Sequence, residues 1–203
     1  ITVHLREDRR HIQDKDLKLL REIVPCELNL EMAATEEMIN IALNIKPDMV
    51  TIVPEKRQEL TTEGGLNVIE LKDSLKEAIK KIKDSGIPVS LFINPERNDI
   101  ECSKDIGADM VEIHTGYYSE SKGIIQLKEL ERIKDAVAYS ISLGLKTNAG
   151  HGLNYYNVKS IAAIKGIRGL YIGHSIIARA VLVGIERAVR EMKNLIKEAC
   201  INA

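Results

Sequence analysis

Three arginines and two histidines crowd the run His4-Leu5-Arg6-Glu7-Asp8-Arg9-Arg10-His11, which follows a short β-branched stretch. Guanidinium forks match phosphate oxygens in pairs and an imidazole adds a further donor, so a phosphate grip is one reading. The other is a solvated loop whose arginines pair with Glu7 and Asp8. Glu31 closes the run Leu28-Asn29-Leu30-Glu31-Met32, where partial burial raises a carboxyl's proton affinity and makes it a usable base. An ion pair with an arginine is its alternative role, and the one that suits Glu112, which lies deeper in its own run. His151 stands between Gly150 and Gly152, whose small size lets the backbone approach a ligand while the imidazole moves a proton. A plain turn would use the same residues. Gly173-His174-Ser175 leads from an apolar run into a helical one, offering free N–H groups and a positive dipole end to a phosphate, or else an ordinary serine cap. The polar segment 54–66, with Gly64-Gly65 as a hinge, reads as a lid that excludes water or as a surface loop. No HxH or HExxH spacing occurs, so no metal is expected.

These groups need elements to hold them. Strand-like runs fall at residues 1–5, 27–32, 49–54, 88–93, 110–115, 145–149 and 170–173. Between them lie segments of helical period, such as Leu17, Leu20 and Ile23, or Leu75, Ala78, Ile79 and Ile82. Asp14 and Thr35 are placed as helix caps, and Gly86, Gly107 and Gly144 as helix stops. The alternation predicts an α/β fold of parallel strands, each followed by a crossover helix. Within the strands one face is apolar (Leu28, Leu30 and Met32; Val89, Leu91 and Ile93), while the other carries Glu27, Asn29 and Glu31, Ser90 and Asn94, or Glu112 and His114. An open sheet covered by helices on both faces would have to desolvate those carboxylates, whereas a TIM-type (β/α)8 barrel takes them into its interior. The ionisable groups also gather where strands end, the side on which such barrels build active sites. His4, Glu31, His151 and His174 are therefore expected around one phosphate-lined cavity.

Residue 1 already lies within a strand and only seven βα units can be counted, so residues 1–203 are expected to form a single barrel domain whose first strand and helix precede Ile1. A final helix from 175 to about 199 would pack beside that unit. With 29 Lys and Arg against 30 Asp and Glu, and with six Tyr, one Phe and no Trp, neither nucleic-acid attraction nor base stacking is expected. Cys26, Cys102 and Cys200 are odd in number and far apart, and read as buried thiols in a reducing compartment. No apolar run reaches the roughly 20 residues of a membrane helix. A cytoplasmic protein with small phosphorylated substrates is the resulting expectation.

The runs TVHLREDRRHI (2–12), LNLEMAATEEM (28–38), VPEKRQELTTEGGL (53–66), SLFINP (90–95), EIHTGYY (112–118), NAGHGLNYYNV (148–158) and IGHSIIARAV (172–181) together resemble the pyridoxine 5′-phosphate synthase family from end to end. The resemblance implies condensation of 1-deoxy-D-xylulose 5-phosphate with 3-amino-2-oxopropyl phosphate to pyridoxine 5′-phosphate, phosphate and water, without cofactor. It places the acid/base groups on His4, Glu31 and His151. Contacts to the first substrate fall on Arg6, His11 and Thr61, and those to the second on Gly152, Gly173 and His174. It further implies a homo-octamer built from dimers, with which the apolar Ile176, Ile177, Val181, Val183 and Ile185 are compatible, although they suit a core equally. The family's first strand, bearing an asparagine, an Asp-His pair and a following arginine, has no counterpart in residues 1–203. Two rivals remain: another phosphosugar barrel, an epimerase or an aldolase using the mid-strand Lys146 as a Schiff base, and a phospho-ligand binding protein without catalysis.

Overall fold

The structure, a computed structural model, describes residues 1–56, 59 and 64–201. It divides into two compact units, Ile1–Glu112 and Ile113–Ala203.

The first unit runs β1 (Thr2–His4), α1 (Asp14–Ile23), β2 (Asn29–Met32), α2 (Glu36–Ile45), β3 (Met49–Ile52), α3 (Lys72–Asp84), β4 (Val89–Ile93) and α4 (Arg97–Asp105) into β5 (Met110–His114). Strands neighbour one another in chain order, and β1 to β4 pair in parallel with Leu30 beside Val50 and Val50 beside Val89. Leu30, Met32, Ile52, Val89, Leu91 and Ile93 are fully buried, as are Leu17, Met38 and Ile82 on the helices. Each such side chain contributes roughly 1.5–3 kcal/mol by leaving water. The opposite strand face is buried as well but polar: Asn29, Thr51, Ser90 and Glu112 are each at most 3% exposed. There the Thr51 hydroxyl donates to Asn29 Oδ1 at 3.0 Å. Thr35 caps α2 by accepting from the Met38 N–H, whereas α1 is capped by Gln13 and not Asp14. Asp14 opens that helix, where its charge meets the positive dipole end.

The second unit takes up β5 at Ile113 and continues through α5 (Gly116–Glu120), α6 (Gly123–Ser142), β6 (Lys146–Gly150), α7 (Val158–Ala162), β7 (Ile167–Tyr171), α8 (His174–Val183) and α9 (Ile185–Ile201), with the order β5-β6-β7. β7 begins three residues before the expected 170 because Arg168 and Gly169 interrupt its apolar pattern. Gly169 has a packing reason: a Cβ there would lie 3.2 Å from Asn148 Oδ1 on β6. The single final helix expected from residue 175 is two helices, parted at Gly184, whose φ of +83° and ψ of 153° only glycine adopts readily. Ile177, Val181, Leu182 and Ile185 stand exposed on them and are not core. Repeated strand-helix alternation in this strand order is the TIM-type (β/α) class, with seven βα units among the described residues. Of the three cysteines expected to be buried, Cys102 is, whereas Cys26 and Cys200 are exposed. Among the described residues no helix is long and apolar enough to cross a membrane.

Candidate functional site

In the first unit, parallel pairing sets His4, the last residue of β1, directly opposite Glu31 on β2. His4 Nδ1 lies 4.0 Å from Glu31 Oε2, and its other nitrogen, Nε2, is 2.9 Å from Oε1 of Glu55 in the segment after β3. A carboxylate has no proton to donate, so the ring hydrogen belongs on Nε2 and the Nδ1 lone pair faces Glu31. Burial lowers the His4 pKa against the opposing pull of Glu55, leaving the ring neutral near pH 7. Burial also pushes Glu31 up to about 7, where it can accept a proton as readily as it releases one. Glu112, on the polar face of β5, is raised well above the carboxylate range, first by burial and then by the charge of Glu31. Its Oε2 has no hydrogen-bond partner among the described residues. Two like-charged carboxylates do not both ionise cheaply, so Glu112 keeps its proton while Glu31 titrates.

The arginine run divides between the two readings its sequence allows. Arg10 pairs with Asp8 at 2.7 Å, and Arg9 pairs with Asp14 at 3.0 Å and also with Glu37, as a structural loop would. Arg6 differs. Its Nε is buried and has no hydrogen bond among the described residues, although Asp8 Oδ1 stands 3.4 Å away. An acidic oxygen on a ligand would satisfy it. His11 is exposed at the end of the same run. Thr61 lies outside the described residues. Of the expected hinge, Gly64 has φ +99°, but Gly65 is fixed: its N–H donates to Asn94 Oδ1 at 3.1 Å, and a Cβ there would meet Asn94 at 2.6 Å.

In the second unit His151 follows β6 with φ +80°, a conformation that costs about 1–3 kcal/mol for a residue with a side chain and persists only where neighbours enforce it. The enforcing group is the Thr115 hydroxyl, 2.7 Å from the Gly150 carbonyl and 2.6 Å from that of His151. The His151 ring tilts against that of His114 with centroids 4.9 Å apart. Gly116 makes the pair possible, since a Cβ at that position would lie 2.6 Å from His114 Nε2 and 3.3 Å from His151 Cδ2. Burial and the neighbouring imidazole lower His114 to about 4, so it stays neutral. Gly152, φ +76°, has no room for a Cβ against Ser119. Ser175 is not the cap of α8. Gly173 is, and the Ser175 hydroxyl instead donates to the Leu153 carbonyl at 2.8 Å, tying the His151-Gly152-Leu153 turn to the start of α8. Gly152, Gly173 and His174 are thereby brought to one region, with the helix N–H groups of an exposed Gly173 and His174 available to an anion.

The sequence gives Glu55, His114 and Thr115 no role of their own in the site, although His114, like Glu55, stands among the ionisable groups at strand ends. Glu55 is visible there only as part of a strand-end segment, and the other two act through contacts that spacing does not encode. Lys146 is the first residue of β6 and exposed, some five residues, or about 17 Å, from His151 at the opposite end of that strand. It is not mid-strand, and a Schiff base there would not meet these imidazoles. Among the described residues no group of three His, Cys, Asp or Glu side chains is placed to hold a metal ion.

Comparison with solved structures gives the crystal structure of KGPDC from Streptococcus mutans, with a TM-score of 0.69 at 15% identity over 98% of this chain and 85% of that one. The native KDPGal structure follows at 0.65 and 12%, over 97% and 82%. Identities this low support the fold alone. Among curated proteins, the pyridoxine 5′-phosphate synthase of Thermodesulfovibrio yellowstonii is 95% identical over all 203 residues, which span 84% of its length. Those of Synechococcus sp. and Geotalea uraniireducens are 57% and 56% identical over 97% and 98% of this chain, covering 80% and 84% of theirs. The family model described as pyridoxal phosphate biosynthesis protein PdxJ matches residues 1–198, and with it the chain belongs to the PdxJ family.

Proposed function

We propose that this enzyme condenses 1-deoxy-D-xylulose 5-phosphate with 3-amino-2-oxopropyl phosphate to pyridoxine 5′-phosphate, phosphate and water. The observation that carries the reading is the set of proton carriers in distinct states: a neutral His4 with an open Nδ1, Glu31 poised near 7, and a protonated, buried Glu112. Imine formation between the amine and the ketone needs a base and an acid in turn, as do the later C–H removals and the loss of phosphate. Glu31 and His4 serve as the bases, Glu112 donates a hydrogen bond to developing negative charge, and His151 returns protons to leaving oxygens. Arg6 and His11 grip one phosphate. Gly152, Gly173 and His174 receive the other through backbone N–H groups at the start of α8. A binding protein would need the grips but not a carboxyl held near 7. An aldolase using Lys146 is disfavoured by that lysine's place at the far end of β6.

The test supplies both substrates and follows the pyridine product by absorbance. Glu31→Gln should lower kcat by roughly 10² to 10⁴ while both substrates still bind. For the unaltered protein kcat/KM should rise with pH through about 7 as Glu31 ionises. Undiminished turnover by the glutamine variant would remove Glu31 from the chemistry, and no pyridine from any preparation would remove the function.

A further inference from the structure

We infer that Glu55 is a positioning residue that fixes the tautomer and orientation of His4. This rests on the reading of His4 as a proton carrier. The Glu55 side chain is 4% exposed, and both its oxygens are committed: Oε1 to His4 Nε2 at 2.9 Å and Oε2 to the Glu7 N–H at 2.9 Å. It thus takes hold of the exit of β1 at two points, one on the imidazole and one on the backbone three residues on. Its own backbone is held in turn, since Glu59 Oε2 accepts from the N–H groups of Glu55 and Lys56 at 2.9 and 3.1 Å. Lys56 Nζ closes the arrangement 3.0 Å from Glu7 Oε1. A buried carboxylate bonded to one imidazole nitrogen leaves the other as the only free lone pair, and that lone pair points at Glu31, 4.0 Å away. Without Glu55 the ring could rotate or carry its proton on Nδ1, and would then face Glu31 with a donor where the chemistry wants an acceptor.

The rival is a purely structural latch joining the segments after β1 and β3, and it predicts no change in the state of the ring. Titration of the histidine nitrogens by 15N NMR separates the two, with the His4 signals identified by their loss in His4→Gln. The charged groups around His4 are Glu55, Glu31, Arg6 and Asp8, of which Glu55 and Asp8 raise its proton affinity and Arg6 lowers it. Glu55→Gln, which keeps size and an acceptor but loses the charge, should move the His4 midpoint down by about one pH unit and mix its tautomers. It should also cut kcat roughly 10- to 100-fold at little cost in KM, with partial recovery in Glu55→Asp. An unmoved midpoint with a pure Nε2–H tautomer in the glutamine variant would overturn the inference. So would an Nδ1–H tautomer in the unaltered protein, a measurement that does not depend on any variant folding. Full activity of His4→Gln would instead remove the acid/base role of His4, while the tautomer and midpoint seen by NMR would still decide whether Glu55 orients the ring.

Discussion

At the residue scale the proposed function sets each unit the same problem, met in different ways: a proton carrier must be held in a single orientation without being consumed by its partner. For His4 the holder is a charge, Glu55. For His151 it is a neutral hydroxyl acting on the backbone, because the strain at φ +80° lies in the main chain. Thr115 Oγ1 reaches two successive carbonyls, and its own N–H donates to Gly150 at 2.8 Å, so that one residue defines the turn. Thr115→Val keeps the shape and removes the hydroxyl. The loss of one buried hydrogen bond, about 1.4 kcal/mol if it all goes into misplacing His151, corresponds to a tenfold fall in kcat, which Thr115→Ser should reverse. Steady-state kinetics of the pair of variants check this, and a valine variant with unchanged kcat would show that the turn holds itself. The sequence offered Glu31 and His151 as proton carriers because their types and strand-end positions are local facts, and His4, which by itself reads as part of a phosphate grip, through the family resemblance. It offered Glu112 only as a structural carboxylate. The missing information was the burial of Glu112 beside the like charge of Glu31, with its Oε2 lacking a hydrogen-bond partner among the described residues, a property of three-dimensional surroundings that turns a buried glutamate from an ion-pair member into a proton holder.

At the element scale the legible part was the alternation within strands. Leu30 and Met32 against Asn29 and Glu31 already separated a helix-covered face from a polar interior, because a period of two leaves a β-strand no other arrangement. Helix stops were legible for a similar reason: Gly86, Gly107 and Gly144 all take φ between +77° and +94° where their helices end. Gly184 was not, since one glycine inside an apolar helical run costs only about 1 kcal/mol and does not by itself announce a break. Its conformation shows why the helix ends there. Gly184→Ala should destabilise the fold by about 1–3 kcal/mol, because alanine would have to occupy φ +83° or straighten α8 into α9 and disturb their packing. Chemical denaturation midpoints measure it. An alanine variant as stable as the parent would mean that the two helices can join at no cost.

For the molecule as a whole, the buried carboxyls and imidazoles should set the pH at which it is most stable. Glu31 and Glu112 are raised in the folded chain, so folding takes up protons between the ordinary carboxylate range and the folded pKa, and stability is lost as pH rises through that window, to about 7 for Glu31. His114 and His4 are lowered, so the unfolded chain binds protons that the folded one refuses, and stability is lost as pH falls below 6.5, to about 4 for His114. Between pH 4.5 and 6.5 the two groups oppose each other. Above 6.5 only the carboxyls remain, and the Tm should decline from about pH 6.5 to about 8. A difference of one pH unit in pKa corresponds to about 1.4 kcal/mol, and each kcal/mol to roughly 2–4 °C in a domain of this size. The melting temperature across that range should therefore fall in the parent and fall less steeply, by roughly 2–3 °C in all, in Glu31→Gln, where only Glu112 still has a proton to lose. His114→Asn should leave the decline above 6.5 intact and raise the Tm only on the acid side. If the glutamine variant declined as steeply as the parent, the burial of Glu31 would not be costing the fold what its raised pKa requires, and its poise near 7 as a base would go with it.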